Sequence, residues 1–288
     1  MKKAMVGLGL VLLACAKNPV KPLYEKEISL YGFLHGGHPL SVDRAILITW
    51  TRPITDVYDL DEAAVQNAEV EIHESETGQR YVLHHTAAQP AFYYNDSLLV
   101  QPLHHYQLII KAEDRVVSAE TTVPEMPVLS TYLARDRTNE VVATNLGYNK
   151  PIDVYCDNPN QMILVSVFCN EAFSDAEYIN PFNDQHKHPE SQEEYDGGRN
   201  AEPRHIRAYM RYQDLATPAY AGRHVIYWYG SMLVFYGSNT LQVLAIDDNY
   251  HRYLYEEHPE LNGGVSNGIG LFGSVCGEEY TLQVLKGQ

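Results

Sequence analysis

Between residues 27 and 125 the apolar positions fall mostly in short runs or alternate with polar ones, so β signals dominate. Val70 and Ile72 alternate with Glu69, Glu71 and His73, the period of two of a strand with one buried face. The pattern predicts strands at 27–34, 45–51, 68–73, 80–84, 97–100, 106–111 and 116–123, punctuated by Gly36-Gly37, Glu76-Thr77-Gly78 and Glu113-Asp114. Residues 59–65 read as one short helical turn inside an insertion. Two prolines in Val123-Pro124-Glu125-Met126-Pro127 end a strand and stiffen a linker, which marks a seam. Beyond it, strands are predicted at 130–133, 141–145, 152–156, 162–169, 205–212, 224–235, 240–246 and 280–285. One helix is predicted at 250–257, with Asp247 or Asp248 as N-cap. The polar segment 172–202, rich in Pro and Gly, reads as a long loop. The expected fold class is all-β: an N-terminal immunoglobulin- or transthyretin-like sandwich over 27–125, then a second, larger antiparallel β domain over 128–288 with one short helix.

The first residues break this pattern. Lys2 and Lys3 precede an apolar stretch, 4–13, that is far shorter than the roughly 20 residues needed to span a bilayer. It ends in Leu12-Leu13-Ala14-Cys15, the order of a bacterial lipoprotein signal. Cleavage before Cys15, a diacylglyceryl group on its thiol and N-acylation with a palmitate-like chain would exceed the two signals that stable anchoring takes. Residues 16–26, with Pro19, Pro22 and three lysines, read as a tether. Ala16 is not Asp, so the inner-membrane retention signal of some Gram-negative bacteria is missing and the outer membrane is the expected address. The whole chain carries a formal charge of −16; losing residues 1–14 removes two lysines and no acid, leaving 19 basic against 37 acidic residues, or −18. Such a surface repels nucleic acid, which is excluded as a partner.

Candidate chemistry is sparse. Cys156 and Cys169 flank a turn-like Asp157-Asn158-Pro159-Asn160 and are the expected disulfide, a hairpin staple worth about 3 kcal/mol, with Cys276 able to replace either. Gly268-Ile269-Gly270-Leu271-Phe272-Gly273 has the spacing of a dinucleotide loop but not its strand-and-helix context, so it reads as backbone lying close to a sheet or turning with positive φ. His186 and His188, with Asp184, Glu190, Glu193, Glu194 and Asp196, form the densest ligand-like cluster, yet prolines and glycines around it offer no rigid frame. No metal site and no cofactor are assigned. Asp56, Asp59, Asp61 and Glu62 lack the spacing of an EF-hand and read as a charged turn. No Gly-x-Ser-x-Gly, His-Glu-x-x-His, Ser-x-x-Lys or P-loop occurs, so no catalytic residue is assigned, although a carboxylate pair for glycoside hydrolysis leaves no sequence signature. The 22 tyrosines, Tyr227, Tyr229, Tyr250, Tyr253 and Tyr255 among them, suit either a binding surface or strand packing.

Three features taken together resemble an uncharacterised family of Gram-negative outer-membrane lipoproteins often encoded beside TonB-dependent receptors. The lipobox cysteine is followed by Leu30-Tyr31-Gly32-Phe33-Leu34; Asn67-Ala68-Glu69-Val70-Glu71-Ile72 leads through Tyr106-Gln107-Leu108 to Thr122-Val123-Pro124; and Tyr253-Leu254-Tyr255 precedes Ser266-Asn267-Gly268-Ile269-Gly270-Leu271-Phe272-Gly273. The resemblance implies no catalytic residues. It implies a non-enzymatic binding or accessory component of TonB-dependent uptake, held to the membrane by lipid, with a receptor partner and a glycan or peptide ligand. A glycan-acting hydrolase and a structural or adhesive surface protein are the alternatives.

Overall fold

The computed structural model describes residues 24–142, 151–158, 161–179, 186–199, 208–211, 224–227 and 233–287; Cys15, Asp184 and Tyr229 lie outside them. The alternating segments form β1 (Ile28–His35), β2 (Pro39–Leu40), β3 (Ile46–Trp50), β4 (Glu69–Glu74), β5 (Arg80–Thr86), β6 (Gln89–Leu99), β7 (His105–Ala112) and β8 (Arg115–Thr122). Their inward residues, among them Leu30, Ile46, Ile48, Val70, Ile72, Tyr93, Tyr106 and Leu108, share one buried core. The expected helical turn is α1 (Leu60–Ala63), whose N-cap Asp59 accepts from the Glu62 backbone N–H. β6 is far longer than the 97–100 read from the pattern. Pro90, which donates no backbone hydrogen, sits at its second residue just after the turn, where a sheet tolerates it.

Past the seam come β9 (Val128–Ser130), β10 (Asn139–Val142), β11 (Pro151–Tyr155), β12 (Met162–Cys169), α2 (Gln192–Arg199), β13 (Ala208–Arg211), β14 (His224–Tyr227), β15 (Gly237–Ile246), α3 (Asp248–Tyr255), α4 (Pro259–Asn262), β16 (Val265–Ser266) and β17 (Ile269–Leu285). Among the described residues one curled sheet runs β13-β12-β15-β17-β1-β3-β6-β5-β4-β7-β8-β16, with β10 beside β17 and β2 beside β6; β14-β11-β9 form a second sheet. Ile152 and Val154 of the small sheet pack on Ile163, Val165, Val167, Leu241 and Val243 of the large one. On the opposite face α3 lays Tyr250 against Met162, Leu164, Leu244, Ile246, Leu271 and Val275.

β17 holds these parts together. Its first half pairs in parallel with β1, Ser29 opposite Ile269 to His35 opposite Val275. Its second half pairs antiparallel with β15, from Val275 opposite Ile246 to Val284 opposite Gly237, and its last residues run parallel to β10. The sheet is therefore mixed where an antiparallel second domain was expected, because the two ends of the chain lie side by side and need no local connection. Phe272 and Cys276 enter the core of β1–β8, so that core is not built from 27–125 alone. The glycine-rich close is the opening of this strand. At Gly270, φ is +115°, and a Cβ there would stand 1.9 Å from the carbonyl oxygen of Leu30 on β1. Only glycine permits that approach.

Candidate functional site

Three backbone segments converge at the seam: the end of β8, the end of β15 leading into α3, and the middle of β17. Asp247 leaves β15 with extended backbone and caps α3, its Oδ1 accepting from the Tyr250 N–H at 3.0 Å. Its own N–H donates to the Ser274 carbonyl at 3.0 Å. Its Oδ2 accepts from the Thr121 hydroxyl at 2.6 Å, and Thr121 and Ser274 share a further 2.6 Å hydroxyl contact. Ser274 also donates to the Thr122 carbonyl at 3.1 Å. Burial raises the Asp247 carboxyl to about 6, with the charge of Asp248 acting the same way against the hydrogen bonds that lower it.

Two residues on, Asn249 donates through Nδ2 to the Glu120 and Phe272 carbonyls at 2.7 and 2.9 Å, tying α3 to both β8 and β17. Gly264 stands close over it: a Cβ there would lie 2.2 Å from Asn249 Nδ2. Arg252, one turn along α3, donates through Nη2 to Asn249 Oδ1 at 2.6 Å. Its buried Nε has no hydrogen-bond partner among the described residues. Arg252, Asn249 and Glu120 stand between two polar cavities, one of about 420 Å³ bounded also by His105, Glu125, Gln161 and Asp247, the other of about 410 Å³ bounded by Gln107, Ser118, Asn262 and Ser266. The site thus offers a guanidinium donor among carboxylates.

A family described as "Domain of unknown function (DUF4249)" matches residues 20–274. The chain belongs to the DUF4249 family. No curated protein matches it. Solved structures with similarity include the FN1–FN3 domains of chicken CNTN1, at 12% identity over 89% of this chain and 66% of that one, with a TM-score of 0.19. Domains 4 and 5 of the S-layer protein SbsC match at 12% identity over 90% and 98%, with a TM-score of 0.20. The chicken interferon gamma receptor alpha chain matches at 6% identity over 77% and 90%, with a TM-score of 0.19. Likenesses this distant carry nothing about the ligand or activity of a DUF4249 chain.

The residues singled out from the DUF4249 sequence disperse. Asp59 caps α1, and Glu62 pairs with Arg52 at 2.8 Å, so the acidic run builds a turn. His186 Nε2 lies 2.7 Å from Glu194 Oε1, whereas His188 Nδ1 faces the Ala176 carbonyl at 2.8 Å; no three metal-binding side chains cluster among the described residues. No disulfide joins Cys156 to Cys169. The staple supposed β11 and β12 to be hairpin partners, but β11 pairs with β9 and β14 in the small sheet while β12 lies between β13 and β15 in the large one. Burial pushes the Cys156 thiol up to about 12 and that of Cys276 to about 11, so neither is a thiolate at neutral pH.

The tyrosines divide. Tyr93, Tyr106 and Tyr280 are core, while Tyr250 packs tilted against Phe33 with ring centroids 4.5 Å apart and Tyr253 meets Tyr31 at 6.0 Å. Sequence reading missed α2, although Ser191-Gln192-Glu193-Glu194 is a capping-box sequence and Ser191 Oγ accepts from the Glu194 N–H at 3.1 Å. It also passed over Asn249 and Arg252, which only the fold brings against β8.

Proposed function

We propose that this chain is a lipid-anchored, non-enzymatic outer-membrane protein, a binding or accessory component of a TonB-dependent uptake system, with the cavities about Arg252 receiving a glycan or peptide ligand. The observation that carries the anchoring is Leu12-Leu13-Ala14-Cys15 behind two lysines. The binding reading draws on the seam. There the hydroxyls of Thr121 and Ser274 and the carboxylate of Asp247 are committed to one another and to backbone, an arrangement that holds elements together. Arg252 Nε remains as a buried donor that a ligand carboxylate or hydroxyl would satisfy. In this reading an immunoglobulin-like sandwich, 27–125, and a larger β domain, 128–288, are two units clasped by β17, with the ligand at their junction.

One observation favours the hydrolase alternative. Asp247, held partly protonated near pH 6, borders a cavity with Asp248, Glu120 and Glu125. Both of its oxygens are already engaged, so a structural role fits it better.

The test is affinity capture of the native acylated protein from detergent-solubilised outer membranes, with mass spectrometry of what accompanies it. A stoichiometric TonB-dependent receptor supports the accessory role. Recovery alone, or only with further copies of itself, contradicts it and turns attention to an enzyme or an adhesive surface protein. Glycan cleavage by the purified protein that is lost in Asp247→Asn would establish the hydrolase instead.

A further inference from the structure

We propose that the turn of residues 51–59 is a second membrane contact, seated in the bilayer interface beside the lipid anchor; the inference rests on the anchoring of Cys15. Three large apolar side chains crowd its tip in open solvent: Ile54 at 103% relative exposure, Val57 at 89% and Tyr58 at 59%. The turn is ordered. Asp56 N–H donates to the Pro53 carbonyl at 2.9 Å, Arg52 Nη2 reaches Glu62 Oε2 at 2.8 Å, and Asp59 opens α1 on the far side. A hydrogen-bonded tip that presents isoleucine, valine and tyrosine outward calls for a cover.

The chain outside the described residues says what that cover is. Nine residue steps separate Cys15 from Tyr24, a reach of about 30 Å at full extension. The chain then enters the fold at the base of this same turn. Tyr24 Oη lies 2.8 Å from Thr51 Oγ1, Glu27 N–H donates to Thr51 Oγ1 at 2.9 Å, and Thr51 N–H donates to the Glu27 carbonyl at 2.8 Å. A lipid on Cys15 therefore keeps the bilayer within that reach of the turn.

The base carries interfacial side chains. Lys26 Nζ sits 4.0 Å over the Trp50 ring, and Tyr24 is 45% exposed. Tryptophan, tyrosine and lysine settle where headgroups meet acyl chains. Asp56 and Asp59 oppose deeper entry and anionic headgroups, so the fitting surface is zwitterionic. The contact also orients the molecule. β17 begins near this end, where Ile269 lies opposite Ser29, and its far end is about 50 Å away along the strand. Phe173 belongs to that far end, since neighbouring Asn170 bonds to Ser238, which pairs with Gln283.

The test uses the full acylated protein reconstituted into vesicles of phosphatidylcholine brominated on its acyl chains. Ile54→Trp and Phe173→Trp are each read as the difference from the parent, which contributes Trp50 and Trp228. The added indole of Ile54→Trp is expected to lose most of its emission and shift to the blue, and that of Phe173→Trp to do neither. A second variant, Ile54→Ser with Val57→Ser, is expected to speed transfer of the acylated protein between vesicles severalfold. Protein that floats with the vesicles while the Ile54→Trp indole stays unquenched overturns the contact and leaves the anchor standing. Protein that carries no lipid on Cys15 and does not float overturns both.

Discussion

At the scale of single residues, two buried titratable groups pull the pH dependence of stability in opposite directions. Asp247 has its carboxyl raised by burial from 3.8 to about 6. Between those values the native state keeps a proton that the unfolded chain has lost, so stability falls as pH rises, by at most about 3 kcal/mol. Asp247→Asn keeps the cap oxygen and removes the charge. It is expected to be more stable than the parent in urea at pH 7, with the difference vanishing near pH 4. His35 behaves conversely. Burial, with Arg44 and His38 nearby, lowers its imidazole to about 4, so the unfolded chain binds the proton first and stability rises with pH between about 4 and 6.5. In His35→Gln the loss of stability on acidification through that window should shrink by up to about 3 kcal/mol, measured as urea midpoints across the range. Little of this was legible in the sequence. Asp247 was readable as a helix cap because capping is local; its burial, and the roles of Asn249 and Arg252, depend on β8 lying against α3 from more than a hundred residues away.

At the scale of elements, periodicity spoke clearly where one face is buried and the other wet. β4 and β7 differ from their expected ends by a residue, while β12, buried on both faces, has the boundaries that its apolar run gives. β17 was half hidden, because its glycines lie where neighbours leave no room for a side chain, Gly270 against β1 and Gly277 against β15, and so break the alternation. α2 was hidden for a similar reason. Gly198 lies in its last turn because a Cβ there would meet Phe235 Cζ at 2.9 Å, so the helix looks like loop until its capping sequence is noticed. Gly270→Ala tests the close approach. A methyl group against the Leu30 carbonyl, on backbone disfavoured for alanine, should cost about 3 kcal/mol or more, seen as a melting temperature lower by about 6 °C or more. A melting curve unchanged by that substitution would mean that β1 and β17 do not approach as described.

At the scale of the whole molecule, β17 makes the seam a junction that neither side completes alone. The full chain is expected to unfold in one transition, with coincident midpoints by circular dichroism and fluorescence, while a fragment of residues 24–127, lacking Phe272 and Cys276, shows no cooperative transition. The proposed anchoring and the proposed membrane-facing turn both rest on one feature near the start of the chain, a lipid on Cys15. It is tested most directly by the intact mass of the protein isolated from its native membrane. The expected mass is that of residues 15–288 plus a diacylglyceryl group and one further acyl chain. A mass equal to residues 1–288, or to a chain cut elsewhere and bearing no lipid, would contradict it.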